Sequence, residues 1–157
     1  MISKVKFSKF SIILTWGVIG LLCVGIICSW GIPKKVITGS VILAAMIVSG
    51  MFYAPRSIEL TEDCLIIRSM LKKKCIPLSE IALAERCYPS GGGIRICASG
   101  GFMGYWGYFN DIVIGTYFGY FGDRDQCILL RLTNKRQYVI SCENPDEMLM
   151  EIDRRIN

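Results

Sequence analysis

The segment Gly100–Gly122 reads GGFMGYWGYFNDIVIGTYFGYFG and is the most unusual stretch of this 157-residue chain. It holds nine of the 17 aromatic residues in the chain, and glycine recurs throughout it. Glycine lets a strand bend, form a bulge or approach a neighbouring backbone closely. The pattern therefore predicts a long β-hairpin that is rich in aromatic side chains.

The aromatic residues of this hairpin have two possible roles. Most such side chains pack in a core or against a neighbouring strand. Alternate residues of a strand point to opposite faces, however, so a run as dense as FMGYWGYF should leave some of them exposed. The exposed members could meet the bilayer interface, a second subunit or the end of the hairpin. The candidate interface residues are Phe102, Tyr105, Trp106, Tyr108 and Phe109.

The same stretch offers little catalytic chemistry. Its polar residues of interest are Asn110, Asp111 and Thr116, which do not provide a nucleophile with its base. It lacks the GK[ST] ending of a phosphate-binding loop and a GxGxxG fingerprint that opens a helix. The chain has no histidine and no CxxC motif. We therefore expect a protein that is not an enzyme and that uses no metal or cofactor.

Two long apolar runs precede the aromatic stretch. Phe10–Gly31 has 22 residues without a charge, and Val36–Ala54 has 19. As helices they would measure about 33 and 29 Å, close to the thickness of a bilayer core. A partner domain of about 100 residues could hardly cover two such helices on all sides. Residues 1–55 are thus predicted to form a transmembrane hairpin with spans at about 10–31 and 36–54.

Flanking charges predict the orientation of this hairpin. Lys4, Lys6, Lys9 and Arg56 lie on one side of it, against two lysines in its turn. By the positive-inside rule, both termini and the following domain are cytoplasmic, in an integral protein of the inner (cytoplasmic) membrane. Cysteines scattered through strand-like segments suit buried free thiols in a reducing compartment. A Cys87–Cys97 disulfide is the alternative that spacing leaves open.

Charge divides at the end of the hairpin. Residues 1–55 carry five lysines and no acid, whereas residues 56–157 carry 13 basic and 13 acidic residues. A neutral domain lacks the broad positive field of a nucleic-acid binder, so no nucleic-acid partner is expected. One basic cluster lies at a predicted turn, where it contacts anionic lipid or, as is commoner, only solvent. Its residues are Arg68, Lys72, Lys73 and Lys74.

The rest of residues 56–157 reads as short strands followed by one helix. Apolar, β-branched runs such as CLIIRSML and RQYVISC alternate with turn residues, which is typical of a sandwich or a partly open barrel. Pro77 indicates a sheet edge or a bulge. At the end of the chain, Asn144 and Pro145 favour the start of a helix over about 145–156. Apolar residues at helical spacing along it predict that it closes the β core.

Three segments carry a resemblance to a known family. SGGFMGYWGYFN, IGTYFGYFGDRDQCILLRL and RQYVISCENPDEMLMEI together resemble the bacterial pleckstrin-homology-like (PH-like) domain family, over roughly Pro55 to Ile156. The resemblance implies N-terminal membrane spans, a PH-like β-barrel or sandwich of two packed sheets, and one C-terminal capping helix. It also implies a membrane-associated binding role, and it supplies no catalytic residues.

The combined expectation is a membrane-anchored α+β protein that acts as a non-catalytic binding or assembly module at the inner leaflet. Its expected partners are the lipid bilayer and either another protein or a second copy of the chain. An alternative function is an accessory subunit of a membrane enzyme or transporter, with a pocket between the spans and the domain. The residues expected to line such a pocket are Asp111, Asp123, Arg124 and Asp125.

Overall fold

Two apolar helices project from the β domain in the computed structural model, which describes residues 1–90 and 94–156. Helix α1 is Lys9–Cys28 and helix α2 is Pro33–Tyr53. Their 20 and 21 residues are long and apolar enough to cross a membrane. Only 6% of the most apolar window of each helix is buried within the chain, so these are not core helices of a soluble protein.

The four-residue turn between the helices lies at residues 29–32, earlier in the chain than the predicted turn at residues 32–35. Helix α2 begins at Pro33, earlier than the predicted span start at Val36. Proline is favoured in the first turn of a helix, because its fixed φ is helical and its missing N–H group would have no partner there. Lys34 and Lys35 therefore extend the first turn of α2 instead of lying in a loop.

A short N-terminal strand, β1 (Ile2–Lys4), was not predicted by the sequence. It pairs antiparallel with strand β2 (Pro55–Leu60), which follows α2 directly. The N-terminal ammonium group of Met1 also donates a hydrogen bond to the Leu60 carbonyl oxygen at 2.8 Å. The segments before and after the helical hairpin are thus joined in one sheet. The start of α1 and the end of α2 therefore lie at the same end of the hairpin, next to this sheet.

The first sheet has four strands in the order β1-β2-β3-β4. Strand β3 is Cys64–Ser69 and strand β4 is Lys73–Pro77. Each strand runs antiparallel to its neighbour. The edge position predicted from Pro77 is confirmed, because β4 is an outer strand and ends at that proline, which has no N–H group to donate.

The second sheet has six strands in the order β5-β9-β10-β8-β7-β6. Strands β8 and β10 are parallel, and the other described pairs are antiparallel. The predicted aromatic hairpin is present as the meander β6-β7-β8. The two sheets form a sandwich and do not close into a barrel. The strands of this sheet are β5 (Ile81–Cys87), β6 (Ile94–Gly101), β7 (Gly104–Asp111), β8 (Gly115–Phe121), β9 (Cys127–Leu132) and β10 (Gln137–Ser141).

The main core lies between the sheets and under the predicted C-terminal helix, α3 (Pro145–Ile156). Met148 and Ile152 of α3 are completely buried, and both pack into the same cluster as Ile58 of the first sheet and Ile128 of the second. The predicted closing role of this helix is therefore confirmed. The last residue of the predicted domain, Asn157, and residues 91–93 lie outside the described part of the chain.

A second apolar cluster covers the opposite face of the six-stranded sheet. Tyr105 stacks on Phe121 with ring centroids 5.0 Å apart, and Phe109 stacks on Tyr117 at 5.6 Å. All four side chains are buried. Both faces of this sheet are thus apolar, which explains how so dense an aromatic run fits within one strand meander.

The expectation that the cysteines of the β domain are buried is met only in part. Of the six outside the helices, Cys87, Cys127 and Cys142 are buried, whereas Cys75 and Cys97 are exposed. All eight are free thiols, so the Cys87–Cys97 disulfide is not formed. Burial raises the pKa of Cys127, and it raises the pKa of Cys142 to about 11. These two thiols therefore stay protonated and poorly nucleophilic at neutral pH.

We expect two glycine substitutions in the aromatic meander to differ sharply in cost. Gly107 and Gly115 both have positive φ, +117° and +84°. A Cβ at Gly107 would collide with backbone atoms of Cys97 and Ala98, whereas one at Gly115 would meet nothing within 4 Å. Gly115→Ala should therefore cost only left-handed strain, roughly 1–2 kcal/mol, and Gly107→Ala at least twice that. Denaturant unfolding of the full chain in detergent measures both, and equal costs would contradict the collision.

Candidate functional site at the junction of helices and sheet

The turn between β6 and β7 docks on the first two turns of α1. The Ser11 hydroxyl donates to the Gly101 carbonyl oxygen at 2.6 Å and accepts from the Gly104 N–H at 3.0 Å. One helical turn later, the Thr15 hydroxyl accepts from the Met103 N–H at 2.8 Å. We call Ser11, Thr15 and this turn the clamp. The two hydroxyl groups of the apolar helix α1 thus bond to the backbone N–H and C=O groups of the turn.

Glycines bring the clamp into close contact with both helices. A Cβ at Gly101 would approach the Leu14 side chain of α1 to 2.8 Å, and φ at Gly101 is +128°. On the other helix, a Cβ at Gly50 would collide with the Met103 side chain. The turn is thus held between the start of α1 and the end of α2.

Trp106 ties the same hairpin to the end of α2. Its ring stacks on Tyr53 with centroids 5.4 Å apart and an interplanar angle of 15°. Its indole N–H donates to the Phe102 carbonyl oxygen at 3.2 Å. Trp106 therefore connects the last residue of α2 to the turn of the clamp.

The structure separates the five candidate interface residues. Phe102, Tyr105 and Phe109 are buried, at 8%, 3% and 6% exposure, so they do not belong to an open surface. Trp106 is partly covered by Tyr53, whereas Tyr108 is 52% exposed. The expected exposure of some aromatic residues is thus found mainly at Tyr108, and the five do not form one continuous surface.

The turn between β3 and β4 lies against the end of α2. The Leu71 N–H donates to the Met51 carbonyl oxygen at 3.1 Å, and the Lys72 ammonium lies 5.2 Å from the centre of the Tyr53 ring. Met70 and Leu71 nevertheless remain more than half exposed. An apolar, basic turn is therefore fixed beside the point where α2 leaves the domain.

The four candidate lipid-contacting cations do not act as one cluster. Lys72 and Lys73 are exposed at the β3–β4 turn. Arg68 points instead at Glu59, with which it forms a hydrogen-bonded ion pair. Lys74 is half-buried, and its ammonium lies 5.9 Å from the Tyr138 ring. Of the four candidates, only Lys72 and Lys73 are thus exposed.

A cleft of about 420 Å³ opens beside the first turn of α1. Three of the four residues expected in a pocket between spans and domain, Asp123, Arg124 and Asp125, line it. The guanidinium group of Arg124 lies 4.7 Å from the centre of the Tyr105 ring. The lining residues are Ser8, Phe10, Arg95, Tyr105, Asp123, Arg124 and Asp125.

Asp111, the fourth expected pocket residue, lies elsewhere and has a structural role. Its carboxylate accepts hydrogen bonds from the N–H and hydroxyl of Ser90, at 2.8 and 2.6 Å, and from the Val113 N–H at 2.9 Å. Burial alone would raise the pKa of Asp111, but these hydrogen bonds outweigh it and lower the pKa. The carboxylate thus fixes the β7–β8 turn and is not available to a ligand.

Comparison with known proteins identifies the β domain. A family model described as the bacterial PH domain matches residues 56–156. The chain belongs to the bacterial PH domain family. No curated protein and no solved structure matches it. The resemblance seen in the sequence is therefore confirmed at the level of the family.

The PH domain match leaves out the elements that attach the domain to the helices. It begins at Arg56, so β1, both helices and the clamp hydroxyls lie outside it. Sequence reasoning also missed Ser11 and Thr15, although two hydroxyls four residues apart in an apolar span are a signal for one polar face. Within residues 1–90 and 94–156, no group of three or more Cys, Asp or Glu side chains is arranged to hold a metal ion.

We expect removal of the clamp hydroxyl to loosen the PH domain from α1. Ser11→Ala leaves the buried Gly104 N–H without its partner and weakens the bonding of Gly101, at a cost of roughly 2–4 kcal/mol. Hydrogen exchange of the full chain in detergent should show faster exchange at Gly104. The matched control is Thr38→Ala, because among the described residues the Thr38 hydroxyl bonds only to the Lys34 carbonyl oxygen of its own helix. Equal exchange at Gly104 in both variants would contradict a holding role for Ser11.

Proposed function

We propose that this protein is a membrane-tethered PH domain that presents a lipid- and protein-contacting surface at the inner leaflet and performs no catalysis. The observation that carries this proposal is the clamp, because it fixes the domain directly to the membrane helices. Tethering of this kind raises the effective concentration of a binding surface toward other membrane components without a need for tight intrinsic affinity.

The position of the clamp along α1 supports a domain seated on the bilayer. Thr15 is six residues from Lys9, so it lies about 9 Å along the helix from that charged residue. With Lys9 at the membrane surface, the β6–β7 turn enters the interfacial layer. Unpaired backbone N–H and C=O groups become more costly with depth as the bilayer excludes water, and Ser11 and Thr15 supply partners for those of the turn.

The β3–β4 turn supports a direct contact with lipid. Met70 and Leu71 offer exposed apolar side chains at the end of α2, and Lys72 and Lys73 follow them. Apolar side chains can enter the interface while lysines beside them attract anionic headgroups, at about 1 kcal/mol for each charge near the surface. The Leu71–Met51 hydrogen bond keeps the turn at this depth.

A groove on the flank of the six-stranded sheet is the best position for a protein partner. It measures about 370 Å³ and combines the exposed Tyr108 with Phe118, Tyr138 and two cations, Lys135 and Arg136. Aromatic and basic side chains of this kind suit an acidic segment of another protein. Tyr108 would therefore contact a partner as part of this groove.

The alternative function as an accessory subunit also has a supporting observation. The cleft beside α1 lies between a span and the domain, and it brings together Asp123, Arg124 and Asp125. A cleft lined by both signs of charge fits a bound polar ligand or headgroup as readily as an assembly role. The two functions predict different results when these side chains are removed. A binding module would lose only ligand binding, whereas an accessory subunit would also change the activity of its membrane enzyme.

We expect thiol labelling to place the PH domain in the cytoplasm. Cys75 is exposed on the domain, whereas Gly31 lies at the opposite end of the helices. Cys97 is not used, because it lines a groove with Met46 and Ser49 of the span α2. A membrane-impermeant maleimide should label Gly31→Cys in sealed right-side-out vesicles, and Cys75 only in inverted ones. Mass spectrometry of the peptides assigns each label. Labelling of Cys75 in right-side-out vesicles would reverse the orientation.

We expect Lys72 and Lys73 to confer a preference for anionic lipid. The full chain, purified in mixed micelles, should retain phosphatidylglycerol over phosphatidylcholine, and Lys72→Gln with Lys73→Gln should reduce that ratio on the order of tenfold at low salt. Lipid extraction and mass spectrometry measure the ratio. The matched control neutralises Lys135 and Arg136 at the β9–β10 turn. A loss as large in the control would show that overall charge, not the β3–β4 turn, sets the preference.

A further inference from the structure

We propose that the cleft beside α1 binds the headgroup of a zwitterionic aminophospholipid, phosphatidylethanolamine. Arg95 and Arg124 would hold its phosphate, and Asp123 and Asp125 would hold its ammonium group. The inference rests on the proposed seating of the domain on the membrane. It assigns a class of ligand to the cleft, which is separate from the β3–β4 turn that carries Lys72 and Lys73.

The cleft lies at the level where a headgroup would be found. Two of its lining residues, Ser8 and Phe10, flank Lys9 at the start of α1. Phe10 is 59% exposed, so its ring is free to contact acyl chains below a bound headgroup. The cleft thus adjoins both the charged start of the span and its first apolar residue.

The two arginines are held in place on neutral surfaces. Arg124 lies over the Tyr105 ring, and the Arg95 guanidinium group packs so closely on Gly100 that a Cβ there would collide with it. In the described chain, neither forms an ion pair with a carboxylate. A planar guanidinium group with free N–H donors is well suited to a phosphate oxygen pair.

The start of α1 adds to the attraction for phosphate. Its first turn contains no acidic residue, and the hydroxyl of its cap, Ser8, is already used by the Ser11 N–H. The partial positive charge of the helix N-terminus then points toward the cleft that Ser8 lines. This field complements the two arginines.

The two aspartates decide which lipid fits. Asp123 accepts the Asp125 N–H at 3.3 Å, and neither carboxylate is in an ion pair within the described residues. The four charged side chains of the cleft cancel, so a purely anionic headgroup would leave both carboxylates facing its negative charge. A zwitterion neutralises both signs, and its primary ammonium group can donate hydrogen bonds to carboxylates.

The volume of the cleft is compatible with this ligand. About 420 Å³ falls within the range of small-molecule sites, roughly 300–1,000 Å³. Phosphatidylcholine carries a trimethylated nitrogen that has no N–H group to donate. The cleft should therefore distinguish phosphatidylethanolamine from phosphatidylcholine by hydrogen bonding, and from phosphatidylglycerol by charge.

The test measures headgroup selectivity on the intact chain. The full-length Lys72→Gln, Lys73→Gln variant, which lacks the two cations of the β3–β4 turn that attract phosphatidylglycerol, is titrated in detergent with short-chain phosphatidylethanolamine, phosphatidylcholine and phosphatidylglycerol, and native mass spectrometry gives the affinity for each. We expect phosphatidylethanolamine to bind at least threefold more tightly than the other two. Equal binding of the three lipids would overturn the proposal.

Charge variants test which side chains hold the phosphate and which hold the ammonium group. Arg95→Gln and Arg124→Gln should each weaken phosphatidylethanolamine about tenfold, as expected for the loss of one charge-assisted hydrogen bond, and Arg→Lys at either position should weaken it less. Asp123→Asn combined with Asp125→Asn should abolish the preference over phosphatidylglycerol. The control is Arg136→Gln at the β9–β10 turn. If the Arg95 and Arg124 variants change binding no more than this control, the cleft is not the site.

The selectivity ratio keeps the test independent of folding and of the membrane proposal. A loosened fold weakens all three lipids alike and leaves their ratio unchanged, whereas loss of the aspartates alters the ratio itself. Short-chain lipids in detergent reach the cleft whatever the orientation of the helices. If the headgroup titration fails while Lys72 and Lys73 still confer retention of phosphatidylglycerol, only the cleft proposal is overturned. A reversed pattern of thiol labelling would overturn only the orientation.

Discussion

The need to satisfy backbone hydrogen bonds at the β6–β7 turn constrains the rest of the structure. The turn lies between two apolar helices, where an N–H or C=O group that is shielded from water and has no partner costs several kcal/mol. Ser11 and Thr15 supply those partners from within α1. Because the bonds are short and directional, they fix the depth and rotation of the hairpin, and through it the six-stranded sheet, relative to the helices.

Other contacts make the attachment rigid. Strand β1 enters the first sheet before the helices begin, and β2 starts at Pro55, two residues after α2 ends. The Leu71–Met51 hydrogen bond and the Trp106–Tyr53 stack connect the end of α2 to the two sheets. A flexible linker would let a tethered domain sample many orientations. Here the residues between helix and strand are too few for that freedom, so the domain keeps one orientation relative to the helices.

Periodicity and composition predict the helices and most strands, but not the side-chain contacts between them. The uncharged runs gave the two helices, and turn residues between β-branched runs gave most of the strands. Strand β1 is not predicted, because Ile2–Lys4 is too short to show a period of two and its single lysine, Lys4, suggests only a membrane flank. The burial of Tyr105 and Phe109 could not be deduced either. It depends on rings of β8 that lie opposite in the meander, and the sequence does not show that the six-stranded sheet is apolar on both faces. The sequence pattern groups Arg68 with the lysines, because it does not show that Glu59 on the neighbouring strand β2 is its partner.

The two proposed lipid contacts depend on different physics. Lys72 and Lys73 are exposed, so their attraction for anionic headgroups is a sum of charges that salt screens over about 8–10 Å. The cleft instead holds cations and carboxylates on fixed supports such as Tyr105, and its binding depends on directional hydrogen bonds that salt weakens less. Net charge around the domain and the identity of one headgroup would thus be sensed separately. Because the helices and sheets form one rigid attachment, a lipid seated in the cleft would also hold the start of α1 against β6, β7 and the segment 123–125, and so stabilise the same junction that the clamp holds.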